Sequence, residues 1–162
     1  MSLNILVTGG AGYIGSHVCK SLKNNGFNPV VYDNLIYGHK WSVKWGDFIQ
    51  GDLLDREFIF EVFDKYNFFA VIHLAAFAYV GESVQKPAKY YRNSIVGAIN
   101  LLDAMHQNDV KNIIFSSTCS TYGIPENIPM KESHIQNPIN PYGYSKLVVE
   151  KLIKDYYKAY NF

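Results

Sequence analysis

The chain has 162 residues, 48% of them hydrophobic and 18% charged, and a formal net charge of +1. That is enough for one domain with its own core. The balanced charge offers no basic surface for nucleic acid or an acidic membrane, and no apolar run approaches the ~20 residues of a bilayer span. Two cysteines, Cys19 and Cys119, stand far apart in sequence. They read as reduced thiols rather than a disulfide framework, Cys119 as a small buried residue. A strand begins almost at once after Met1, so no signal peptide is expected, and the protein is expected to be cytoplasmic.

In chain order, residues 4–8 form an apolar strand that runs into a glycine-rich turn and a helix over 13–25. Residues 29–32 read as a second strand ending at Asp33, and 47–50 as a third ending at Gly51-Asp52. A helix over 55–66 carries Phe58, Val62 and Tyr66 on one side, and 69–74 is a fourth strand. Along 87–106, Tyr91, Ile95, Ile99 and Leu102 recur at three- and four-residue steps, the period of a long helix. Residues 111–116 make a fifth strand, a proline-bearing loop covers 119–141, and a last helix runs from about 142 to 160. Strands that are apolar throughout and separated by helices predict an α/β fold. Its form is a Rossmann-like, doubly wound parallel sheet with right-handed crossovers and strand order 3-2-1-4-5.

The turn after the first strand reads Gly9-Gly10-Ala11-Gly12-Tyr13-Ile14-Gly15. One glycine makes the tight turn, one lets backbone approach phosphate, and one lets the helix pack on the strand. The free N–H groups at the helix start then face an anion. A spacing of this kind arises by chance only about 0.06 times in a chain with this glycine content. Asp33, ending the second strand, is placed to accept from adenine-ribose hydroxyls and to repel a 2′-phosphate. No arginine occurs between Asp33 and Arg56 to offset it, which favours NAD over NADP. Asp52, in the equivalent place after the third strand, suits the adenine edge or a turn about equally.

Tyr142 and Lys146 stand four residues apart behind Pro141, so both occupy one face of the last helix near its start. The pair alone is weak, since about one Tyr-x-x-x-Lys is expected by accident in such a composition. Behind a dinucleotide turn it gains weight. An ammonium one helical turn away favours the phenolate, and the phenol can then take a proton from a sugar hydroxyl. Thr118 follows the fifth strand, at the edge where ligands bind in such sheets, and can share a hydrogen bond with the same oxygen. The five histidines and two cysteines show no ligand spacing, so no metal site is expected. Tyr156, Tyr157 and Tyr160 read as helix packing.

Several segments together carry a resemblance. They are 7–17 (VTGGAGYIGSH), 33–35 (DNL), 51–53 (GDL), 73–76 (HLAA), 80–83 (VGES), 116–123 (SSTCSTYG) and 140–146 (NPYGYSK). In order and spacing the chain resembles, from about Leu3 to Phe162, the UDP-glucose 4-epimerases of the extended short-chain dehydrogenase/reductase family. The resemblance implies a redox-neutral reaction through a 4-keto sugar, with NAD as cofactor and a UDP-sugar as substrate. It implies Tyr142 as base, Lys146 as holder of the nicotinamide ribose, and Thr118 in the family's Ser/Thr position. Gly9, Gly12, Tyr13, Ile14 and Gly15 would follow the pyrophosphate. Asp33 and Asn34 would take the adenosine ribose, Asp52 and Leu53 the adenine. Leu74, Ala75 and Ala76 would flank the cofactor, and Asn93 would lie near its cleft. Some members have a lysine where this chain has Ala78, and that contact is not carried over.

The resemblance further implies a homodimer through helices 87–106 and 142–160. Members are about twice as long, so the 162 residues are expected to be an NAD-binding Rossmann-type domain lacking the C-terminal substrate domain and inactive in isolation. Segment 116–123 also resembles UDP-arabinose (UDP-xylose) 4-epimerases, which leaves the sugar open. Dehydratase and decarboxylase relatives carry an acid just after the Ser/Thr, whereas Thr118 is followed by Cys119-Ser120-Thr121.

Overall fold

The computed structural model describes residues 2–162. Five parallel strands form one sheet: β1 (Asn4–Thr8), β2 (Asn28–Asp33), β3 (Asp47–Gln50), β4 (Phe68–His73) and β5 (Asn112–Phe115), in the order β3-β2-β1-β4-β5. The order reverses between β1 and β4. Thr8 pairs with Tyr32 on one side and His73 on the other, so the carboxyl ends of three strands finish level around one crevice.

Helices cover the sheet because alternate residues of the central strands are apolar on both faces. Ile5, Val7 and Val31 pack under α1 (Tyr13–Asn24), against Val18, Cys19 and Leu22. Leu6, Val30, Tyr32 and Val71 face the other way, onto Ile59, Val62 and Phe63 of α2 (Arg56–Lys65). Leu101, Leu102 and Met105 of a second, longer helix share that layer. Each such fully buried side chain contributes about 2 kcal/mol of burial energy. Asp55 starts α2 by accepting from the Phe58 N–H at 3.1 Å. No helix among the described residues is long and apolar enough to cross a membrane.

Two features depart from the expected elements. A six-residue helix, α3 (Val80–Gln85), precedes the expected long one. The long one is continuous but not uniform: α4 (Pro87–Tyr91) passes through a π-helical segment, Arg92–Val96, into α5 (Gly97–Gln107), with helical backbone angles at both joints. The wider turn rephases the faces. Leu102, expected on one stripe with Tyr91, Ile95 and Ile99, is 1% exposed and belongs to the core, whereas Val96 is exposed. The last helix, α6 (Pro141–Tyr160), has Asn140 as N-cap, its Oδ1 accepting from the Gly143 N–H at 2.8 Å. Tyr156 and Tyr160 pack at its far end with His106 and Phe162, while Tyr157 is exposed, contrary to the packing role expected of it.

Candidate functional site

At the crevice lies a cleft of about 360 Å³. Its walls include Gly9, Gly12, Tyr13, Ile14, Gly15, Asp33, Asn34, Asp52, Leu53, Leu74, Ala75, Ala76 and Asn93. Those are all the residues expected along a cofactor apart from Tyr142 and Lys146. The turn after β1 explains why glycine stands there. Gly9 has a φ of +72°, and a Cβ on it would meet the Ala75 main-chain N at 2.7 Å. A Cβ on Gly15 would come within 2.2 Å of the Gly9 carbonyl oxygen, so only glycine lets α1 sit this close to the turn. The first α1 hydrogen bond runs from Ser16 N–H to Gly12 O. The N–H groups of Tyr13, Ile14 and Gly15 therefore precede the intrahelical ladder, at the positive end of the helix, and line the cleft. This cradle fits a dinucleotide pyrophosphate.

One end of the cleft holds two carboxylates fixed by main chain. Asp33, 8% exposed, accepts from Ala11 N–H at 3.0 Å and Leu35 N–H at 2.8 Å. Each oxygen keeps a further acceptor site for a ribose hydroxyl. Asp52 accepts from Leu54 N–H and from the Asn34 side-chain amide, both at 2.9 Å. It thus closes a turn and faces the cleft at once. Asn93, in the π segment, accepts from Phe77 N–H at 3.3 Å and so fixes the wall after β4.

Behind the Ser116 wall β4, β5 and α6 meet, and Thr118, Tyr142 and Lys146 lie there rather than among the residues that line the cleft. Lys146 is 3% exposed; its ammonium donates to the Ser116 carbonyl at 2.7 Å and lies 4.6 Å from the centroid of the Phe115 ring. Burial pushes it down to about 8. Ser116 lines the cleft, so Lys146 stands behind that wall. Thr118 Oγ1 accepts from Ser120 N–H at 3.2 Å and opens the 3-10 turn Cys119–Thr121. A Cβ on Gly143 would meet Ser120 O at 2.6 Å, so glycine beside Tyr142 lets α6 press onto that turn. These contacts press the start of α6, which carries Tyr142 and Lys146, onto the turn that Thr118 opens after β5. Cys119 is exposed, not buried as expected: Thr121 is the residue of that turn that points inward.

Sequence reasoning missed other parts of the site. His73, at the end of β4, is hydrogen-bonded through Nδ1 to Thr8 Oγ1 at 2.7 Å and stacks on Phe115. Burial, with the Lys146 charge added, pushes its imidazole down to about 3, so it stays neutral. A lone titratable residue ending an apolar strand was the available signal. Tyr37, Gly38, Phe77, Ala78 and Ser116 also line the cleft. A Cβ on Gly38 would meet Asp33 Oδ1 at 2.7 Å, so the loop after β2 wraps that carboxylate closely.

The model of the NAD dependent epimerase/dehydratase family matches residues 5–162. The chain is 51% identical over 153 residues to the UDP-glucose 4-epimerase of Rhizobium meliloti (strain 1021), covering 94% of this chain and 47% of that protein. Among solved structures, that of UDP-glucose 4-epimerase from Brucella ovis in complex with NAD superposes with a TM-score of 0.97 at 54% identity, covering 99% of this chain and 50% of the other. A UDP-glucose 4-epimerase from Thermotoga maritima with UDP-glucose gives a TM-score of 0.95 at 37% identity, covering 99% and 53%. The chain thus spans about half the length of the relatives it matches. With the family model matched from Ile5 to the last residue, the chain belongs to the NAD-dependent epimerase/dehydratase family.

Proposed function

We propose that these residues are the NAD-binding domain of a UDP-sugar 4-epimerase that interconverts UDP-glucose and UDP-galactose. What carries the reading is the cleft, which collects the phosphate cradle of Gly9–Gly15, the ribose carboxylate Asp33 and the Asp52–Leu53 edge on one continuous wall. NAD held by these residues would supply hydride acceptance and return at C4 of the hexose. Tyr142 takes the proton of the C4 hydroxyl and later gives it back. Lys146, with no carboxylate partner, supplies positive charge beside the phenol and holds the nicotinamide ribose. Thr118, whose Oγ1 accepts from Ser120 N–H, keeps its own O–H free to donate to the C4 oxygen. Hexose is favoured over the UDP-arabinose or UDP-xylose alternative by the names of the relatives at about half identity.

The substrate-gripping part would be supplied by residues beyond this segment. Exposed Ile114 on β5 and Ile124, Ile128, Ile135 and Ile139 in the following loop suit burial under such a part. Two copies would pair through the faces of α4–α5 and α6 that expose Tyr91, Val96 and Tyr144. Free Cys19 and Cys119 suit the cytoplasm. A single dimer species in sedimentation at micromolar concentration checks the pairing, and a monomer refutes it.

The test of the reading is calorimetry followed by turnover. NAD should bind the chain and NADP should bind much more weakly. Asp33→Ala should lose that preference and also weaken NAD, because Asp33 anchors Ala11 and Leu35. Joined to the second half of the Rhizobium meliloti relative, the segment should convert UDP-galactose to UDP-glucose, and Tyr142→Phe should cost about 1,000-fold in rate with NAD affinity retained. Equal affinity for the two cofactors, or full activity of Tyr142→Phe, would refute it.

A further inference from the structure

The walls of the cleft carry formal charge of one sign. Among the described residues Asp33 and Asp52 are their only charged side chains, whereas a dinucleotide brings a pyrophosphate dianion. The start of α1 offers only about half an elementary charge. A cation close to that wall would complete the electrostatics, and one is in place. Lys89, on α4, has its Nζ 4.3 Å from the centroid of the Phe77 ring and 3.5 Å from the Tyr37 hydroxyl. Phe77 and Tyr37 both line the cleft, and their rings meet edge to face at 5.4 Å. Tyr79 adds a second edge-to-face contact to Tyr37 at 5.2 Å, so the loop after β2 and the segment after β4 close on each other beside the ammonium. Ala78, the next residue of that wall after Phe77, offers no polar side-chain atom.

Lys89 also has a partner it can leave. It donates to both oxygens of Glu82, at 2.9 and 3.1 Å. Glu82 also has Lys86 at 3.5 Å and the Tyr90 hydroxyl at 3.0 Å, the latter sharing its one proton with the Tyr79 carbonyl at 2.7 Å. If Lys89 moves, the carboxylate keeps Lys86 and can take the Tyr90 proton in full, and a four-carbon stem with a rotatable ammonium suits such a move. Lys86 has no comparable contact with the cleft-lining rings.

We propose that Lys89 is a cofactor-binding residue of this chain, its ammonium passing from Glu82 to a phosphate oxygen of the dinucleotide beside the Tyr37–Phe77 wall. The inference rests on the dinucleotide reading of the cleft. Two substitutions separate it from a structural ion pair. Lys89→Met keeps the apolar stem over Phe77 and removes the charge; Glu82→Gln keeps an acceptor for Tyr90 and releases Lys89. NAD is titrated into each 162-residue chain by calorimetry, at low salt and at about 1 M salt, where the Debye length is only ~3 Å. Lys89→Met should weaken NAD about fivefold at low salt, and the gap should narrow at high salt. Glu82→Gln should tighten NAD about twofold, the opposite sign, because the competing carboxylate is gone. Unchanged affinity in Lys89→Met, or weakening by both substitutions together, overturns the role of Lys89 and leaves the cofactor reading standing. Failure of the unsubstituted chain to bind NAD overturns both. Should Lys89→Met not fold, the sign of the Glu82→Gln effect decides alone.

Discussion

The two ends of the cleft solve opposite electrostatic problems. At the end formed by Asp33 and Asp52 the charges are negative, yet each carboxylate is already held by main-chain N–H groups: Ala11 and Leu35 for the first, Leu54 for the second. Everything that fixes them lies within β1–β3 and the loops that follow. At the β5 end, Lys146 is buried with a carbonyl and an aromatic face and, among the described residues, no anion, and the neighbouring His73 is buried neutral. The first end is complete as folded. The second carries an uncompensated charge whose cost a phenolate or bound ligand would relieve.

The sharpest way to break this contrast is acid. His73 is pushed from 6.5 down to about 3, so below 6.5 the unfolded chain binds a proton that the folded chain refuses. Stability should fall as pH drops through that interval, by at most about 5 kcal/mol at ~1.4 kcal/mol per pH unit. His73→Asn, which cannot titrate there, should flatten the limb in denaturant melts followed by circular dichroism. An unchanged slope would mean that His73 is not held neutral. Gly15→Ala probes the other end. Its Cβ would enter the space of the Gly9 carbonyl, so α1 must shift. A loss of about 3 kcal/mol in stability and of measurable NAD binding is expected. Wild-type affinity in that variant would show the turn to be slack.

How much of this was legible in the sequence follows the same division. The strands, their order and the residues that line the cleft could be read because their signals are local: apolar runs, a glycine spacing, an acid at a strand end. The β5 end depends on contacts between distant segments. Nothing in the sequence around Lys146 shows that it donates to Ser116 rather than facing solvent. His73 meets Thr8 across 65 positions, and Lys89 meets Tyr37 across 52. Periodicity failed within the long helix for a different reason: one π turn shifts the phase, and Leu102 leaves the expected stripe for the core.

The smallest expected effect is also the one that isolates the uncompensated charge. Burial lowers Lys146 from 10.5 to about 8. Between those values the unfolded state binds the extra proton, so stability should rise with pH across the window, the reverse of the usual lysine. The lower part of the window is the informative one. Cys19 is raised from 9.0 to about 11, and Tyr90 to about 12, and both oppose the trend at higher pH because the folded chain then holds protons the unfolded chain releases. The difference between wild type and Lys146→Met cancels those groups. Methionine keeps much of the buried stem, removes the cation, and leaves Ser116 O without its donor. The first gain is about 3 kcal/mol and the lost hydrogen bond about 1. Lys146→Met should therefore be more stable by about 2 kcal/mol at neutral pH, with the advantage shrinking as pH rises past about 8. If the variant were instead less stable at every pH, the lysine would be compensated in the folded chain, and the two ends of the cleft would not differ as described.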